Sequence, residues 1–116
     1  MFTENVIHIN GEPVSIRFYA LNRKPEHGSV FAIEAAERWE APLPQVAVKS
    51  YKDAVRWIQK NCKRVFKPYS FEEVWKIGEK DYFYEELNIK ELELWTPEER
   101  MDKSVTRKGT LKELKG

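Results

Sequence analysis

Between Ser50 and Phe66 the apolar residues return at helical spacing. Tyr51, Ala54, Val55, Ile58, Cys62 and Val65 fall on one stripe, and Lys52, Arg56, Lys60 and Lys63 gather on the opposite face. Ser50 is a good N-cap, and Asp53 in the first turn suits the positive end of the helix dipole. Lys63, Arg64 and Lys67 are placed at or just past a last turn, and Pro68 cannot continue a helix. The pattern predicts one main amphipathic helix from Ser50 to Phe66.

Ahead of it the period changes from helical to alternating. Asn10-Gly11 stands between two β-prone runs, and both residues tolerate positive φ, which predicts a hairpin closed by a type I′ turn. In the second arm Val14, Ile16, Phe18 and Ala20 alternate with Ser15, Arg17, Tyr19 and Leu21. Pro13 has no amide to donate and belongs at a strand start or on an edge. After the turn-rich stretch Asn22 to Ser29, a third run places Phe31, Ile33, Ala35 and Trp39 on one face; it reads as a strand, with a helix as the alternative because of Ala35, Ala36 and the nearby Glu residues. Ala41 to Pro44 breaks this run, and Gln45 to Lys49 forms a short strand leading into the helix. Four strands in this order predict an antiparallel meander with the helix folded across it.

Beyond Pro68, Ser70 and Glu73 have capping-box spacing, and Phe71, Val74, Trp75 and Ile77 supply an apolar side before Gly78. A second, shorter helix is therefore expected. Leu87, Ile89, Leu92 and Leu94 suit either period, and a strand near Ile89 to Trp95 is the reading adopted. Thr96, Pro97 and Glu99 resemble a further helix start. From Met101 the composition predicts a frayed or disordered basic tail, leaving residues 1–100 as a single domain. The fold class expected is α+β: a meander of about four strands on one main helix, then a shorter helix, a further strand and a flexible tail.

Charge alters this picture more by its order than by its sum. The net charge is only +1, yet residues 49–67 hold seven Lys or Arg against one Asp, and residues 72–99 hold ten acids against three Lys. No apolar run is long enough to span a bilayer and the first residues do not have the order of a secretory signal, so a cytoplasmic protein without a membrane partner is expected. The single cysteine, Cys62, lies on the apolar stripe and reads as a small hydrophobe.

Catalytic chemistry finds few candidates. His8 sits on an alternating strand and His27 on a loop among Arg23, Lys24 and Glu26; one Cys and two separated His do not make a closed metal site. There is no phosphate-binding Gly-rich loop and no nucleophile elbow. A non-enzyme without cofactor or metal is expected.

Two binding functions remain. In the first, Lys49, Lys52, Arg56, Lys60, Lys63 and Arg64 meet the phosphates of single-stranded or duplex nucleic acid, and Trp57, outside the apolar stripe, stacks on an unpaired base or packs against a partner. In the second, the acidic segment 72–99 meets a protein partner through Trp75, Tyr82, Tyr84 and Trp95, as in a small inhibitor or accessory factor of the kind common in mobile elements. The first leads at this level, and oligomeric state is not specified by the pattern.

Overall fold

The computed structural model describes residues 1–79 and 82–94. Asn10 and Gly11 have φ of 52° and 82°, so the two-residue turn joins Thr3–Ile9 (β1) to Glu12–Tyr19 (β2) as the Asn-Gly signal predicts. A second hairpin follows, Ser29–Ala36 (β3) with Leu43–Val48 (β4), whose register shifts between Ile33 and Glu34. Ser50 then caps Tyr51–Asn61 (α1), its hydroxyl accepting from the Asp53 amide at 3.0 Å. The remaining strands are Cys62–Phe66 (β5), Glu73–Ile77 (β6), Phe83–Tyr84 (β7) and Glu86–Glu93 (β8).

These strands form two sheets, one of five in the order β1-β2-β8-β3-β4 and one of three in the order β5-β6-β7. β8 runs parallel to β2 and antiparallel to β3, so the strand latest in the described chain lies between the two hairpins. The simple meander is thereby corrected, because β2 and β3 are not neighbours. Their connection crosses the end of β8 and is tied to it: the Leu21 amide donates to Glu91 at 3.0 Å, the Glu26 amide to Glu93 at 3.2 Å, and the Arg23 guanidinium bonds the Glu93 carboxylate. Leu87, Asn88 and Ile89 are buried, as a strand paired on both sides should be.

The α+β expectation fails in a second respect, since among the described residues there is one helix and the architecture is mostly β. The expected helix after Ser70 is strand β6. Its β-branched and aromatic residues bury on both faces, with Val74 and Trp75 both inside, and the Ser70 hydroxyl accepts from the Glu72 amide at 3.0 Å in a local turn instead of capping a helix. The main helix also ends earlier than expected. Cys62 faces inward at the end of the helical stripe and at the start of β5 alike, so the apolar pattern does not mark the change of period. The strand expected near Ile89 to Trp95 is β8, with different bounds. Trp95, the helix start at Thr96 and the tail lie outside the described residues.

α1 packs on one face of the larger sheet. Ala54, Ile58 and Cys62 join Ile7, Ile9, Ile16, Ile33, Ala35, Leu87 and Ile89 in one buried cluster, and Trp75 links β6 of the smaller sheet to it. Among the described residues no helix is long and apolar enough to cross a membrane.

Candidate binding surfaces

The cationic run divides between two elements. Lys52, Arg56 and Lys60 remain exposed on α1 at four-residue steps, and Lys49 is exposed just before it. Lys63 and Arg64 belong to β5, which corrects their place on a helix face. Arg64 is half-buried, with its guanidinium 5.0 Å from the Trp75 ring centroid and 3.7 Å from the Glu73 carboxylate. Burial pulls its pKa down and Glu73 offsets part of that pull. Trp57 is also half-buried and packs against the core cluster, leaving it less ring surface than an exposed stacking platform has.

The aromatic set of the acidic segment is rearranged as well. Trp75 is in the core and corrects its assignment as a contact residue; Tyr84 packs on the core edge, while Tyr82 remains exposed. Three other aromatics stand out from the surface near it. Trp39 is 96% exposed and Phe71 99%, and Tyr69 is fully exposed. Trp39 was expected on the inner face of β3, but that strand ends at Ala36. The Glu40 amide donates to the Glu37 carbonyl at 3.1 Å, and Trp39 takes φ 68° in the resulting turn. Tyr69 takes φ 60° in the β5–β6 loop, which is closed by Lys67 amide to Glu72 carbonyl at 2.8 Å. Left-handed backbone at a bulky residue costs on the order of 1–3 kcal/mol and is kept where surrounding contacts enforce it.

Those contacts are visible. The Arg38 amide donates to Glu85 at 2.8 Å and its guanidinium bonds Glu72, so the β3–β4 loop, the β5–β6 loop and the segment before β8 are knitted together. Lys67 approaches Glu85 at 3.9 Å, and the Tyr82 hydroxyl donates to Glu37 at 3.3 Å. A cleft of about 460 Å³ opens here between Trp39, Glu40, Pro42, Glu72 and Glu85. Glu72 and Glu85 have cationic partners, whereas Glu37 and Glu40 form no ion pair among the described residues. Their charge is felt at Tyr82, whose pKa is raised chiefly by the nearby Glu37 carboxylate and then by their hydrogen bond.

The signal for this loop end was present in the sequence as Pro42 three residues after Trp39 and Pro68 immediately before Tyr69, since a proline close to an aromatic interrupts the strand that would bury it. Cys62 is buried and its thiol is pushed up to about 12 by desolvation, far from nucleophilic readiness at neutral pH. Among the described residues no group of three or more His, Cys, Asp or Glu has a metal-holding arrangement. No family model matches the chain, and no curated protein and no solved structure matches it.

Proposed function

We propose that this protein is a binding module that engages another protein through its loop end, with Trp39, Tyr69 and Phe71 as anchors. The observation that carries this reading is the exposure of three large aromatics on adjoining loops, two of them held at positive φ. Exposed large rings on braced loops have no packing role to account for them, and such residues supply much of the energy at protein interfaces. Glu37 and Glu40 beside Trp39 favour a partner surface bearing Lys or Arg, whose cations meet carboxylate and ring together. The nucleic-acid reading receives less support from the geometry, because Arg64 is engaged by Trp75 and Glu73 and Trp57 packs on the core.

The test is selection from a random peptide library on the immobilised full chain, run in parallel on the Trp39→Ala/Phe71→Ala variant. Peptides enriched in Arg or Lys should be recovered on the wild type, and the double substitution should weaken them roughly 30-fold or more, as expected for interface anchors. Recovery of the same peptides with the same affinity on both proteins would remove the loop end from consideration.

A further inference from the structure

The two outer strands of the five-stranded sheet are unequal. β4 has Pro42 just before it, Pro44 within it and a shifted register beside it, all of which discourage a further strand from pairing there. β1 has no proline and no bulge along its seven residues. The two-residue turn makes Ile9 and Glu12 a hydrogen-bonded closing pair, so by alternation Thr3, Asn5 and Ile7 bond inward to β2 and the backbone of Glu4, Val6 and His8 faces outward. One of these outward groups, the His8 carbonyl, accepts from the Gln59 side chain at 3.1 Å.

α1 runs alongside this edge. The Asn5 side chain donates to the Tyr51 hydroxyl at 2.9 Å near the start of the helix, and Gln59 meets His8 near its end. Eight helical steps of about 1.5 Å and three strand steps of about 3.3 Å cover similar distances, so helix and strand point the same way. Between them lies a groove of about 430 Å³ lined by Val6, Ile7, Tyr51, Lys52, Val55 and Arg56. Val6 lines the groove through its outward backbone; its side chain is largely exposed on the other face, because Asn5, Ile7 and Ile9 point toward the helix.

We propose that this groove takes an extended acidic segment of a partner protein, which adds a sixth strand to the sheet at β1 with alternate carboxylates directed to Lys52 and Arg56. The site is separate from the loop end and does not depend on it. Its chemistry is that of β-strand addition, in which main-chain bonds hold the segment and alternate side chains select it. Lys52 forms no ion pair among the described residues, and Arg56 has only a 3.9 Å contact to the exposed Asp53. Gln59 occupies the His8 carbonyl, so the segment pairs along Glu4 and Val6 and the His8 amide. A phosphate backbone does not match this edge, since it offers acceptors alone where Glu4 and Val6 present carbonyls as well as amides. A second copy paired through β1 would bring two sets of Lys52 and Arg56 together across one axis, which like charge disfavours.

The full chain is titrated into a fluorescein-labelled, acetylated octapeptide alternating Glu and Val, with anisotropy as the readout. Saturable binding is expected, unchanged in Trp39→Ala/Phe71→Ala and weakened roughly tenfold in Lys52→Glu/Arg56→Glu. Methylating the peptide's amides at one set of alternate residues should abolish binding while methylating the other set spares it, because only one set faces the protein; this control leaves the protein unaltered. Absence of binding, or equal binding of both methylated peptides, would overturn the proposal. So would tighter binding of an oligothymidine of the same length, or a dimer in sedimentation equilibrium that Val6→Pro dissociates.

Discussion

Cys62 stands at the joint between α1 and β5, where its backbone amide donates to the Ile58 carbonyl and its thiol enters the core. An unfolded thiol ionises near 9.0, whereas the folded one stays protonated to about 12. Between these values the unfolded chain therefore holds fewer protons, and stability falls as pH rises, by up to about 1.4 kcal/mol per unit. Urea midpoints of wild type and Cys62→Ala at about pH 8 and about pH 10 should show a steeper decline for the wild type; parallel declines would mean that Cys62 is hydrated. The inward position of this residue was legible in the sequence, as was that of Ile16, Ile33, Ala54 and Ile58. Trp39 was not, because a large aromatic in an alternating run is usually buried and only the end of pairing at Ala36 releases it.

At the level of elements, local chemistry was readable wherever it was complete within a few residues. The Asn10-Gly11 turn and the Ser50 cap are of this kind, each determined by φ or by one side-chain hydrogen bond. β6 was misread because Ser70 and Glu73 have the spacing of a helix cap, while the partners that make the segment a strand, β5 and β7, are supplied by other parts of the chain. The exposed face of α1 was recognised, yet its length was overestimated because Cys62 satisfies both periods. Docking of α1 depends on Ala54 and Ile58, which are fully buried against the larger sheet. Ile58→Ala should cost about 2–5 kcal/mol in chemical denaturation, with an unchanged m-value. A loss under about 1 kcal/mol would mean that the helix is not held through this face.

For the molecule as a whole, the strand order is the property least accessible from sequence. The stretch from Ala20 to Gly28 gives no sign that it spans another strand, and the groups that fasten it, Glu91 and Glu93, are supplied from the far side of the helix and the smaller sheet. Because β8 is the shared neighbour of both hairpins, a chain ending at Tyr84 should lose cooperative unfolding altogether, which near-ultraviolet circular dichroism during a thermal melt would report. A truncated chain that still melts sharply would show that the hairpins join without it. During synthesis the same arrangement imposes an order of events. Both hairpins leave the ribosome early, but β8 emerges roughly 45 residues after β4, an interval of about 2–9 s at ordinary elongation rates. Through that interval β2 and β3 each carry an unpaired inner edge, so the nascent chain depends on whatever shields those edges, chaperone or ribosome surface, until its own late strand arrives.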